Sequence, residues 1–310
     1  MSQHAAASRS DDRSDAASGA FGDAPLDFDS TAPPTATATA TVDGRPVRYA
    51  EYGADSGTPV LLWHGTPGSS LLGALYDAAA RDRGVRLLVP ERPGFGRAPA
   101  WEDRTLADAG PIARAILDDA GVERAGAVGF SGGGAQALAA AATTDRVTAV
   151  DLVSTSVPPE MREAPPLAQR LLEGAATHTP RLLGAVLRGQ ARLAERRPSL
   201  ALAQLTDDTD ALSDREATLA ARDFLAGIAR SRRGLVAETR LLGSPWELPP
   251  LDPSVPVRLW HGADDGNVPV AGARRFAEEL GAEATVLDDA DHLTALLDTR
   301  ERVLDRQRGD

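Results

Sequence analysis

The chain has 310 residues, 42% of them hydrophobic, enough for one large α/β domain with an insertion or for two smaller domains. Cysteine is absent, which excludes disulfides, thiolate metal sites and cysteine nucleophiles. All 33 basic residues are arginine and the net charge is −12, a balance that argues against a general binder of nucleic-acid backbones.

Residues 1–38 are rich in Ala, Ser, Asp, Thr and Pro and carry no sustained apolar period, so they read as a disordered tail. Their lack of an apolar core of the signal-peptide type makes the cytoplasm the expected location. No run of about 18 apolar residues occurs, and no membrane span is expected. From residue 38 the pattern changes: ATATV and VRYAEYG, joined by Asp43-Gly44, predict an antiparallel hairpin. VLLWHG (60–65) and VRLLVP (85–90) read as strands buried on both faces, with a helix near 70–83 between them. A helix at 105–119, with Pro111 as an irregularity, precedes the strand RAGAVGF (124–130), which runs straight into the helix SGGGAQALAAAA (131–142). VTAVDLVST (147–155) is the next strand.

The strand pattern then stops. Residues 157–250 are Leu, Ala and Arg rich with helical spacing, as in RLLGAVLRGQARLAERR, and predict an all-helical insertion. Alternation resumes with the strand VPVRLWHG (255–262), a helix at 270–280, the strand EATVLDD (283–289) and a helix from 293. Strands alternating with helices predict a mostly parallel sheet, and an insertion that interrupts such a sheet covers the strand ends where ligands bind. The expected division is therefore a core of 39–156 and 251–310 with a cap of 157–250.

Gly129-Phe130-Ser131-Gly132-Gly133 is a G-x-S-x-G motif between a predicted strand and a predicted helix. A turn sharp enough to lift Ser131 out of the strand brings the residues two before and two after it together, which Gly129 and Gly133 permit. The serine then sits at a helix N-terminus that favours developing negative charge. A hydroxyl nucleophile needs a base, and of five histidines His4 lies in the tail, His178 in the cap, and His64 and His261 end buried strands. His292, in the loop after the last strand, remains. The acid that orients it belongs after the preceding strand, where Asp264 and Asp265 both qualify by position. His64-Gly65-Thr66-Pro67-Gly68 ends another strand and supplies the second oxyanion donor: the backbone N–H groups of Thr66 and Gly132 are the expected pair. No metal-ligand cluster or Walker-type phosphate loop is present, and GGGA at 132–135 lacks the spacing of a dinucleotide fingerprint, so neither metal nor cofactor is expected.

Taken together, HGTPGS (64–69), RPGFGR (92–97), GFSGGGAQALA (129–139), LLGSPWEL (241–248), WHGADDGNVP (260–269) and DHLT (291–294) resemble the α/β-hydrolase superfamily, in its fold-1 branch, from about residue 40 to 305. The resemblance implies an α/β-hydrolase fold: a mostly parallel eight-stranded sheet flanked by helices, with an inserted helical cap. It also implies a Ser–Asp–His triad, and the acid's family position, three residues after Gly262 and three before Val268, selects Asp265. Two departures stand out. Asp291 replaces the glycine common before the histidine, and could raise that base's pKa or compete for its N–H; Glu91 replaces an aspartate. The implied activity is hydrolysis of a small or medium, mainly apolar acyl substrate, a carboxylic ester first, by a monomer or homodimer. Lactone, thioester or carbon–carbon cleavage, a cofactor-free haloperoxidase or acyltransferase, and a non-catalytic ligand-binding protein are the alternatives; Trp246 and Phe224 are expected to help wall an apolar pocket.

Overall fold

The structure is a computed structural model that describes residues 33–162 and 167–309. The expected tail lies outside the described residues as far as residue 32. Ala36–Val42 (β1) and Arg45–Gly53 (β2) form the expected hairpin, turning through Asp43 and Gly44, both at positive φ. β1 starts inside the stretch expected to be tail, because its Ala-Thr alternation extends upstream and Ala36 registers with Glu51.

β2 runs antiparallel to Val85–Pro90 (β4), and the remaining neighbours are parallel: Thr58–Trp63 (β3), Ala125–Phe130 (β5), Val147–Val153 (β6), Val257–Gly262 (β7) and Glu283–Leu287 (β8). The eight strands lie in the order β1-β2-β4-β3-β5-β6-β7-β8. Every residue of β5 is buried, as expected for a central strand covered on both faces. Alternation assigns its neighbours to the two sides of the sheet: Leu61 and Trp63 of β3 join one apolar cluster, and Val60 and Leu62 join the other.

The helices Ala109–Asp119 (α2), Gly132–Thr143 (α3) and Val270–Leu280 (α9) pack on the first cluster through Ile112, Leu138 and Phe276. Gly73–Asp82 (α1) and His292–Arg308 (α10) cover the second through Tyr76 and Leu296. Pro111 does not disturb α2, since it stands in the first turn, where a missing N–H removes no helical bond.

Between β6 and β7 the described residues form helices: Leu167–His178 (α4), Pro180–Arg196 (α5), Ser199–Leu202 (α6), Asp214–Ala229 (α7) and Arg233–Leu242 (α8). Phe224 packs on a small cluster of its own, Ala194, Ala201, Ala221 and Leu225. Trp246 lies edge-on to Phe276 of α9, ring centroids 5.7 Å apart. Both aromatic rings thus make packing contacts, Phe224 with residues of α5, α6 and α7 and Trp246 with α9. Among the described residues no helix is long and apolar enough to cross a membrane.

Candidate active site

β5 leads directly into Ser131, which has φ 53° and ψ −124° before α3 begins at Gly132. L-residues rarely take this conformation; it costs on the order of 1–3 kcal/mol and persists only where the surroundings enforce it. Here the enforcement is by hydrogen bonds. The Ser131 N–H donates to Val153 O of β6 at 3.0 Å, while its carbonyl accepts from the N–H groups of Gly134 and Ser156. A Cβ on Gly129 would collide with the Gly133 carbonyl, and one on Gly133 with the carbonyls of Trp63 and His64. The glycines of the motif are thus required by close approach, as the sequence suggests.

Asp265 follows β7 and is buried, whereas Asp264 is exposed. The choice between the two is made by geometry: Asp265 Oδ2 lies 2.8 Å from His292 Nδ1. Its other oxygen accepts from the backbone N–H groups of Asn267 (2.9 Å) and Val268 (2.8 Å), which fixes the carboxylate plane. His261 also approaches Asp265, at 3.4 Å, but its Nε2 lies 2.7 Å from the Val268 carbonyl, and burial pulls its pKa below the usual histidine range, against the opposing pull of Asp265. That neighbour is therefore neutral. His292 is the first residue of α10, 4% exposed, and its ring packs against Phe130, centroid to centroid 5.0 Å, which sets it beside the residue preceding Ser131.

Asp291 does not compete for the imidazole. One of its oxygens caps α10, accepting from the N–H groups of Leu293 and Thr294, and the other accepts from Thr206 Oγ1 at 2.5 Å and the Asp207 N–H at 2.9 Å. Burial alone would raise its pKa, but these donors outweigh it and hold the carboxyl below its usual range. The residue is a strut between the histidine's helix and the segment that joins α6 to α7.

The loop after β3 also comes close to Ser131. A Cβ on Gly65 would stand 3.4 Å from Ser131 Cβ, and one on Gly132 would collide with Thr66 Oγ1, with Leu242 Cδ1 of α8 at 3.1 Å. Thr66 therefore lies against the first residue of α3 through its side chain. Pro67 follows across a cis peptide bond, and Gly68 packs against Gly227 of α7. His64 is fully buried beneath the loop. Its Nδ1 lies 2.8 Å from the Gly65 carbonyl and its Nε2 3.4 Å from the Arg92 N–H, and burial together with the Arg92 charge pulls its pKa well below the usual range. It is a neutral structural ring. Among the described residues no group of three or more His, Asp or Glu could hold a metal ion.

A family model for the alpha/beta hydrolase fold matches residues 58–299, most of the chain. The chain belongs to the alpha/beta hydrolase fold family. Among solved structures, an alpha/beta hydrolase fold protein from Nakamurella multipartita is 24% identical, with a TM-score of 0.61 over 88% of this chain and 99% of that one. A bromoperoxidase from Bacillus anthracis is 18% identical, with a TM-score of 0.66 over 89% of this chain and 100% of that one. A thermophilic esterase from Thermogutta terrifontis is 20% identical, with a TM-score of 0.64 over 88% and 97%. Among curated proteins, the dihydrolipoyllysine-residue acetyltransferase component of the acetoin cleaving system of Pseudomonas putida is 32% identical over 119 residues, 38% of this chain and 32% of that protein. The match thus spans about a third of the length of that relative.

This alpha/beta hydrolase also holds a set of buried charges to which the sequence assigns no role. Arg92, fully buried, donates from Nη2 to the carbonyls of His64 (3.0 Å) and Gly65 (2.5 Å) and to Thr66 Oγ1 (3.0 Å). Its Nη1 pairs with Glu238 of α8, which also pairs with Arg104 and accepts from Gln136 Nε2 at 2.9 Å. Burial pulls both guanidiniums down to about 9, so they remain charged at neutral pH. Asp223 of α7 accepts from the Ser69 N–H at 2.8 Å and Oγ at 2.9 Å. One signal was available: Gly234, Glu238 and Leu242 share a buried face of α8 at spacings of four, and a carboxylate on such a face needs a partner.

Proposed function

We propose that this protein is a serine hydrolase, with Ser131 as nucleophile, His292 as general base and acid, and Asp265 as the group that orients it. The observation that carries the reading is the 2.8 Å bond between His292 Nδ1 and Asp265 Oδ2, with the same ring packed on Phe130, the residue before a serine held at φ 53°. A carboxylate at Nδ1 keeps the proton there and leaves Nε2 unprotonated, the tautomer a base needs. Ser131 Oγ attacks the substrate carbonyl as Nε2 takes its proton, and the same proton passes to the leaving alcohol. Water, activated by the same ring, then releases the acid from the acyl-enzyme. The N–H groups of Thr66 and Gly132 stabilise the oxyanion in both steps.

A small-molecule ester with a mainly apolar acyl group is the proposed substrate. Support comes from Leu242, an apolar cap side chain set beside Gly132, and from the uncharged character of the residues that flank Ser131: Gly65, Thr66, Phe130 and Gly132. The test is a series of p-nitrophenyl esters from acetate to dodecanoate, run on wild type and Ser131→Ala. The expected result is turnover by the wild type that declines for the longest chains, and a loss of roughly 10³- to 10⁶-fold in the variant. An equal rate in Ser131→Ala contradicts the mechanism.

A further inference from the structure

We infer that the cap sets the shape of the oxyanion loop: Glu238 and Asp223 are positioning residues, the first acting through Arg92 and the second through Ser69, so that Thr66 reaches its donating position only when α7 and α8 are seated. The inference rests on the oxyanion role proposed for Thr66 and adds a control over it.

Three observations carry it. Firstly, Arg92 Nη2 donates to three successive residues of the loop, to the carbonyl oxygens of His64 and Gly65 and to Thr66 Oγ1. Holding those carbonyls on one side orients the intervening peptide units, and hence the Thr66 N–H, toward the other. Secondly, what holds Arg92 is the cap. Its carboxylate partner Glu238 is on α8 and 0% exposed. Without Glu238, two guanidiniums, Arg92 and Arg104, would face each other in a dry interior. Asp223, from α7, grips the loop's other end at Ser69.

Thirdly, the cap meets these same segments with no side chain between. A Cβ on Gly227 of α7 would collide with the backbone of Gly68, and one on Gly234 of α8 with the backbone of Gly94, two residues after Arg92. Backbone-on-backbone seats leave no slack, so a shift of α7 moves the loop itself and a shift of α8 moves the segment that carries Arg92. In consequence a substrate that lets the cap seat fully gains in turnover, and one too bulky to do so loses kcat rather than affinity alone.

The experiment compares Glu238→Gln, Asp223→Ala, Asp223→Asn and Gly227→Ala with wild type on one p-nitrophenyl ester. It reads kcat and KM separately, together with Ki for a trifluoromethyl ketone that forms a tetrahedral adduct with the serine. Thermal melts verify folding, and fluorophosphonate labelling of Ser131 verifies the underlying site. Expected are losses of roughly 10- to 100-fold in kcat for Glu238→Gln, Asp223→Ala and Gly227→Ala, with KM within about 3-fold and Ki raised in parallel with the loss. Asp223→Asn, whose amide oxygen still accepts from Ser69, is expected to keep kcat within about 3-fold of wild type. Folded variants with unchanged kcat, or with raised KM alone, overturn the inference while leaving the labelled serine in place. Should Glu238→Gln not fold, Gly227→Ala decides, since it adds one methyl and removes no charge. A wild-type enzyme that takes up no label at Ser131 overturns the reading of the site and this inference together.

Discussion

The two sides of Ser131 are built by different means. On one side, Asp265 follows β7 and His292 opens α10 after β8, and the carboxylate is fixed by two backbone N–H groups within three residues of itself. On the other, Thr66 is backed by a guanidinium at position 92, which is held by a carboxylate at position 238. The proposed acid–base pair is fixed mainly by backbone donors close to it in the chain, with a tie to the inserted segment through Asp291, which accepts from Thr206 and Asp207. The proposed oxyanion side is backed by buried charges contributed by two separate segments, and removal of one member of such a pair costs about 3–5 kcal/mol because its partner stays buried. Local hydrogen bonding dominates the first half and long-range ion pairing the second, which on the inference above makes the second conditional on α7 and α8.

The largest break should come on the acid–base side. Asp265→Asn is expected to lower kcat on an activated ester by about 10⁴-fold by favouring the wrong imidazole tautomer, while Asp264→Asn, exposed and apart from the ring, changes it by less than about 3-fold. Comparable losses in both variants would contradict the division of roles. The Glu238→Gln loss in kcat ranks next and probes the conditional side directly.

Smaller effects sharpen the contrast. Asp291→Ala removes the cap of α10 and its tie to Thr206, with an expected loss of about 1–2 kcal/mol in urea-unfolding stability. Wild-type stability in Asp291→Ala would show that the strut carries no load. The Asp291 carboxyl lies below its usual range in the folded protein, so its contribution is present above the unfolded pKa and fades as the pH falls through the folded one. The wild-type advantage over Asp291→Ala should accordingly narrow in acid.

Asp223 has the opposite sign. Burial raises its pKa to about 7, against the bonds from Ser69 and Leu72 and the Arg92 charge. The folded protein therefore prefers the neutral acid, a contribution that is full below the ordinary carboxylate range and lost as the pH rises through about 7. Asp223→Asn should flatten this dependence, so that its melting temperature gains on the wild type by a few degrees between pH 5 and pH 8. Parallel melting curves across that range would contradict the assignment.

What the sequence made legible follows the same division. Ser131 was readable because the glycines at 129 and 133 answer a steric demand that is local, and His292 because few histidines exist and strand order places one after the last strand. Asp264 and Asp265 could not be separated by position alone: an Asp-Gly turn accepts either, and only burial and the 2.8 Å bond decide. The strand and helix alternation gave the sheet, since apolar runs such as VLLWHG have no alternative place in a protein of this composition. Arg92 and Glu238 stayed hidden because they are 146 positions apart, and a lone charge on a helix ordinarily faces water. Asp291 carries its own lesson: read beside His292 it threatened the base, but an aspartate one residue ahead of a helix turns toward the helix's free N–H groups.

The most direct test of the reactive centre is covalent. Wild type and Ser131→Ala are incubated with a fluorophosphonate at neutral pH, and the adduct is located by peptide mass spectrometry. The account predicts one phosphonylated residue, Ser131, with labelling abolished in Ser131→Ala and slowed at least about 100-fold in His292→Ala, where the hydroxyl has no base. Labelling of another residue, or equal labelling of wild type and Ser131→Ala, would contradict it.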